Sequence, residues 1–259
     1  GGSQAAYTAP PTGDAIFLGW SLDGVYVGYA STLSFAANGD RSLHATFAAR
    51  PSFGDVPTTD ADYQAIVFLA AMGIINPNGV NGSGNFEPDR NVVRAEMAAF
   101  IARIFDWDSE FHNNPFPDQC DSNAINCVDN ELWNNVAALA DYGVVGGYTD
   151  GPTCASAGTT APCYLPRDTV KRVQVLSIVA RAFIKTWDRQ TANLDQYTNV
   201  PNVGTQRSDL TTYTANAGLV PGAADDSTFP NPEGNGLRRF VIQAIYQAFA
   251  AQYATDRVP

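Results

Sequence analysis

One pattern recurs three times along this chain, and it constrains the fold more than any other feature. Each copy opens on an aromatic with Asp or Asn close behind. It runs through a helical stretch closed by Gly and aliphatic residues, crosses a turn-rich loop, and enters a second helical stretch headed by Arg. The first copy has Phe53-Gly54-Asp55-Val56, then Tyr63 to Gly73-Ile74-Ile75, Phe86-Glu87-Pro88 and Arg94-Ala95-Glu96-Met97. The second has Phe116-Pro117-Asp118, Leu132-Trp133 to Gly143-Val144-Val145, Tyr164-Leu165-Pro166 and Arg172. The third has Tyr197-Thr198-Asn199-Val200, Leu210 to Gly218-Leu219-Val220, Phe229-Pro230-Asn231 and Arg238. Each unit is too small to bury its own apolar stripe, so the three must pack together.

The helical reading rests on periodicity. Val93, Met97, Phe100, Ile101 and Ile104 fall on one face at a 3.6-residue repeat,. Val175, Ile178, Val179, Ala182 and Phe183 repeat that stripe, as do Val241, Ala244, Ile245, Ala248 and Phe249. In the first copy Thr59 or Asp60 is the expected cap of a helix carrying Tyr63, Ile66, Val67 and Ala70, with Gly73 as its stop,.

The N-terminal region has a different period. Residues 1–13 read as an extended tail,. Residues 14–50 read as short antiparallel strands: Ile16–Trp20, then an Asp23-Gly24 turn signal, Thr32–Phe35, an Asn38-Gly39-Asp40 turn, and Leu43–Phe47,. So few short strands form a marginal sheet alone. They must pack on the repeats or be completed by another strand.

With 259 residues and 45% hydrophobic content the chain can build a substantial core,. A net charge of −11 argues against nucleic acid and anionic lipid surfaces as partners,. No apolar run approaches the roughly 20 residues of a membrane helix. The start at Gly1-Gly2-Ser3 reads as a processed or excised end,. Four cysteines allow three pairings. Cys120/Cys127 and Cys154/Cys163 each bracket an insertion in the second copy, which favours two local disulfides. Zinc is the rival, without CxxC spacing or a nearby His in support. Disulfides imply an oxidising, extracellular location.

These residues resemble the S-layer homology domain, a bacterial cell-surface module that occurs in threes. The resemblance runs over roughly 51–253 and is carried by Phe53-x-Asp55-Val56, Gly73-Ile74-Ile75, Phe86-x-Pro88 and Val93-Arg94-Ala95-Glu96. It implies a mainly α fold, with three helix–loop–helix repeats in a pseudo-threefold bundle behind the small antiparallel β unit. It also implies that grooves between copies bind pyruvylated secondary cell-wall polysaccharide, with the box arginines, Arg94, Arg172 and Arg238, as principal contacts and Glu96 beside the first. An arginine at a helix start has the geometry for this, because its fork matches a carboxylate and the helix N-terminus adds positive potential. Glu96 is replaced by Gln174 and Phe240 in the later copies. Residues 14–50 resemble the C-terminal part of small β repeats of bacterial surface proteins, through Phe17-Leu18-Gly19-Trp20 and Leu43–Phe47.

Each candidate has a structural alternative. The arginines could instead pair with neighbouring acids, Asp89 or Glu87 in the first copy. Trp107 could stack on a sugar or pack at a repeat junction, while Trp20, Trp133 and Trp187 read as core or interface. The loop at 76–87 offers a single carboxylate, too little for calcium, and reads as turns. Asn81-Gly82-Ser83 is a formal glycosylation sequon. His44 and His112 fit no catalytic motif, and the Asp108/Glu110 pair reads as solvated linker.

The expected organisation is a tail over 1–13, a β domain over 14–50, and repeats over 51–110, 111–190 and 191–259. The expected function is non-enzymatic and cofactor-free: an extracellular structural protein anchored to the envelope by anionic cell-wall polysaccharide. The alternative is a subunit of an extracellular fibre or lattice, a homopolymer in which the N-terminal strand of one copy completes the sheet of the next.

Overall fold

The computed structural model describes residues 3–9, 13–37, 39–107, 112–118, 130–183, 200, 206–218, 220–223 and 229–253. Cys120, Cys127, Asp108, Glu110, Trp187, Asn199 and Leu219 lie outside them. The described elements are strands β1 (Ser3–Thr8), β2 (Ala15–Leu22), β3 (Val25–Gly28), β4 (Thr32–Ala37) and β5 (Leu43–Ala49), and helices α1 (Tyr63–Ala71), α2 (Arg94–Ile104), α3 (Asn130–Asp141), α4 (Gly151–Ser156), α5 (Arg172–Phe183), α6 (Gln206–Ala217) and α7 (Arg238–Tyr253). The chain forms two compact units, one of residues 1–87 with 245–259 and one of 88–244. No described helix is long and apolar enough to cross a membrane.

In the first unit β2 is the centre of an antiparallel β3-β2-β5 sheet. Asp23 and Gly24 both adopt positive φ, as a tight hairpin turn between β2 and β3 demands,. Trp20, Leu22, Val27, Leu33 and Phe35 form the core here. The segment expected as a tail is instead partly strand. β1 pairs antiparallel with β4 of its own chain, from Ser3↔Ala37 to Thr8↔Thr32, in a separate two-stranded sheet. Phe68 of α1 packs against Tyr29 and against Tyr246 and Phe249 of α7. Burial raises the pKa of Tyr26 and Tyr29. Gly28 is required where it stands, since a Cβ there would lie 2.5 Å from the carbonyl oxygen of Tyr253.

The cap expected from Thr59 or Asp60 is not formed in that way. Asp62 precedes α1 without a side-chain cap, and Asp60 accepts from its N–H at 2.8 Å. The glycine stop is as expected. Gly73 has φ +80° and Ile74 donates back to Leu69 at 2.9 Å; Gly143 has φ +68° and Val144 donates to Leu139 at 2.8 Å. These are the long closing bonds of a Schellman cap.

The second unit is organised by a ring of backbone hydrogen bonds that ties the three copies together. Val170 donates to Val92 at 3.0 Å, Val92 to Gly236 at 2.9 Å, and Gly236 to Val170 at 2.8 Å. Around this ring α2, α5 and α7 begin at Arg94, Arg172 and Arg238. The first two N–H groups of each helix donate to the turn of another copy. Arg94 and Ala95 bond Asp168 and Pro166; Arg172 and Val173 bond Gly234 and Pro232; Arg238 and Arg239 bond Arg90 and Pro88. A helix start has N–H groups with no partner inside the helix. Here each copy satisfies them for its neighbour, so the arrangement closes only with all three.

This pairing corrects one alignment. Glu87, Leu165 and Asn231 all adopt positive φ, and Pro88, Pro166 and Pro232 accept equivalent bonds. The third counterpart of Phe86-Glu87-Pro88 is therefore Pro230-Asn231-Pro232, one residue later than the aromatic Phe229 led us to expect. The ring also explains Gly236. A Cβ there would meet Val170 and Val175 at 3.0–3.1 Å, so a side chain at this position would force those two buried valines to shift. Outside the ring, α2 packs on α3 and α5 on α6. Arg103 bridges to Glu131 at 3.0 Å across the first pair, and Arg181 to Asp209 at 2.7 Å across the second.

Candidate functional site

The arginines that head α2 and α5 do not behave as surface residues. Arg94 is 6% exposed. Its guanidinium carbon lies 4.5 Å from the ring centroid of Tyr164 and 4.7 Å from that of Tyr148. Its Nε donates to the Tyr164 carbonyl at 2.6 Å, and the Tyr164 hydroxyl donates back to the Arg94 carbonyl at 3.0 Å. Neither Asp89 nor Glu87 pairs with it. Asp89 instead accepts from Arg239 at 2.9 Å. Among the described residues no carboxylate forms an ion pair with Arg94.

Arg172 is the looser counterpart. Its carbon lies 5.1 Å from the ring centroid of Phe240, one nitrogen donates to the Pro230 carbonyl at 3.2 Å, and its buried Nε has no hydrogen-bond partner among the described residues. Arg238 is 6% exposed and lies 5.7 Å from the ring centroid of Phe100. Each of the three thus lies against an aromatic of another copy, with Arg94 and Arg238 buried and Arg172 half-buried.

Glu96 is occupied locally. It accepts from the Val93 N–H at 3.1 Å, closing the first turn of α2, and from Arg90 at 2.5 Å. Gln174 accepts equivalently from Lys171 N–H at 3.0 Å. The change from Glu to Gln thus preserves the cap, whereas Phe240 has no acceptor to offer. Trp107 stacks on Phe105 at 4.7 Å and on Tyr142 at 4.1 Å, so its ring is engaged within the protein. Asn81 is exposed at the tip of its loop with φ +51°. Asn76 and Ser83 side chains accept from the N–H groups of Asn78 and Asn85 in that loop, consistent with its reading as turns.

Cys154 and Cys163 form a disulfide. Cys163 lies in a two-residue bridge with Tyr148, with N–H···O distances of 2.7 and 3.0 Å in the two directions.

Three features escaped the sequence reading. Asp55 accepts from the N–H groups of Phe86 and Glu87 at 2.8 and 2.7 Å, and Asp118 does the same for Tyr164 and Leu165 at 3.0 and 2.7 Å. The aspartate of the opening motif is thus the clamp of the turn before the arginine helix. Its sequence signal was present, an Asp at a fixed place in two copies, but its partners stand 31 and 46 residues on. Burial pushes the Tyr164 hydroxyl up to about 12, with Arg94 acting the other way. His112 is buried, with Nδ1 3.0 Å from Asp141 and Nε2 2.9 Å from the Trp107 carbonyl. It ties the linker to α3 and is no isolated base.

Residues 52–98 match the family model of the S-layer homology domain. The match covers the first copy alone. No curated protein matches the chain. A module of this kind points to anchoring at the cell surface on cell-wall polymers; it binds and does not catalyse.

Proposed function

We propose that residues 51–110, 111–190 and 191–259 are three S-layer-homology-like repeats that hold this protein to the outside of a bacterial cell by binding an anionic cell-wall polysaccharide. The observation that carries the reading is Arg94. A guanidinium withdrawn from water with no described carboxylate beside it is an unfulfilled anion site, because a buried charge is costly unless paired. A sugar-borne carboxylate supplies the missing partner, and the arginine fork suits it. Arg172 is the second contact and Arg238 the third. Glu96 caps its helix and Trp107 packs internally, so neither is needed for the ligand.

Retention of the full chain on purified pyruvylated secondary cell-wall polysaccharide tests this. Wild type is expected to be retained. An Arg94→Lys/Arg172→Lys double variant, which keeps the charges and loses the forks, is expected to elute at least about tenfold more readily. Equal retention, with unchanged circular dichroism, removes the arginine role.

A second reading is favoured by β1. This strand is paired with β4 alone, and its described side chains Ala6, Tyr7 and Thr8 are exposed. Tyr7 stacks on Phe35 of β4 yet stays 46% exposed, so the strand is held mainly by its backbone ladder, and the same strand donated to the next copy would build a fibre. Electron microscopy of the concentrated protein with and without residues 1–13 decides this: filaments that need those residues support it, and monodisperse particles in both samples reject it.

A further inference from the structure

The three arginine sites are unequal, and the inequality has an identifiable cause in the second copy. Two tyrosines flank Arg94, and both belong to one stapled loop. Tyr148 is hydrogen-bonded in both directions to Cys163, the residue before Tyr164. Cys163 is joined to Cys154 on α4. That short helix is capped by Asp150, which accepts from the Thr153 N–H at 2.8 Å. Gly147 lets the chain pass: its φ is +69°, and a Cβ would stand 2.7 Å from the Cys163 carbonyl. Gln174 of α5 donates to the Tyr148 hydroxyl at 3.4 Å. Asp118 fixes the backbone of Tyr164 from the other side. The residues 148–164 thus form a closed brace with its aromatic faces on Arg94.

We infer that Tyr148, Tyr164 and the Cys154–Cys163 disulfide are positioning elements that hold the Arg94 guanidinium in place for an acidic sugar, and that they make this the tightest of the three arginine sites. The inference rests on the polysaccharide reading for its ligand and on the geometry alone for the brace. The physical basis is preorganisation: a side chain already fixed loses less freedom when it binds. Arg172, with one aromatic neighbour among the described residues and no disulfide beside it, is the internal comparison.

Two variants of the full chain test it, Cys154→Ser/Cys163→Ser and Tyr148→Leu. The first readout needs no ligand. The Arg94 Nε–H, assigned by its loss in Arg94→Lys, is expected to give a ring-shifted, slowly exchanging NMR resonance in wild type. In each variant it is expected to move toward the position of a free arginine and to exchange at least about tenfold faster. The second readout is affinity for purified pyruvylated wall polysaccharide, expected to fall about five- to tenfold in both variants while the melting transition stays cooperative. An Arg94 resonance unmoved in both variants overturns the brace. A resonance that moves, in a protein that binds no polysaccharide in any form, upholds the brace and rejects the ligand reading. Binding unaffected by variants in which the resonance has moved overturns the positioning role.

Discussion

The surroundings of Arg94 and Arg172 differ although the two residues begin equivalent helices. Arg94 meets two tyrosine rings on a loop stapled by a disulfide and clamped by Asp118. Arg172 meets Phe240 and a proline carbonyl, and among the described residues its Nε has no hydrogen-bond partner. The backbone frame is the same in both places, since the first two N–H groups of each helix donate to the turn of the next copy. The lesson is a division of labour. Main-chain bonds hold the ring together and repeat faithfully, while side chains set what each arginine can do and have diverged.

Removing the clamp should disturb the comparison most. Asp118→Ala leaves the N–H groups of Tyr164 and Leu165 without their acceptor. It is expected to cost about 3 kcal/mol of unfolding free energy, since each buried orphan donor costs about 1–3 kcal/mol. Denaturant melts read this directly, and a loss under about 1 kcal/mol would show the clamp to be dispensable.

The alkaline limb of stability comes next. Tyr164 is neutral and buried with its hydroxyl raised from 10 to about 12. A group raised in the folded state stabilises fully below the unfolded value and loses that contribution as pH climbs through the folded value. Stability is therefore expected to fall between pH 10 and 12 by about 2–3 kcal/mol from this residue,. Tyr164→Phe should flatten that share of the decline, and an unchanged profile would remove Tyr164 from the account.

Gly236→Val would impose on the third copy what Val92 and Val170 carry in the others. The contacts at 3.0–3.1 Å predict overpacking worth about 1–3 kcal/mol. Thermal melts that match wild type would mean that the ring can relax to admit a third valine.

Smallest is the difference between the two arginines themselves. Arg94→Leu should cost about 1–2 kcal/mol more than Arg172→Leu, because it gives up a second aromatic neighbour and a 2.6 Å hydrogen bond,. Equal costs would mean that the brace does not grip its arginine.

Local chemistry was legible without coordinates. The 3.6-residue stripes placed α2, α5 and α7, each starting at its arginine. Glycines at positive φ closed α1 and α3, and Asp23-Gly24 turned β2 into β3. The cysteine pair bracketing an insertion became the Cys154–Cys163 bridge. The misreadings share a cause. Phe229 drew the third turn one residue out of register because an aromatic was the only local marker, whereas the true equivalence lies in the positive φ of Asn231 and in what Pro232 accepts. The tail over 1–13 read as unattached because β1 carries no apolar pattern strong enough to announce a partner beyond the next strand.

The sequence by itself determined that α2, α5 and α7 begin at their arginines, that Gly73 and Gly143 stop α1 and α3, and that small antiparallel sheets precede the helices. Those outcomes depend on periodicity, capping and turn residues, all of which act within a few positions. Tertiary structure alone decided that each helix start is completed by another copy and that Asp118 holds a turn 46 residues away. It also turned Arg94 inward between two tyrosines. These choices depend on which distant groups meet in a site short of water, where an unpaired N–H or charge is costly and only the folded arrangement names its partner.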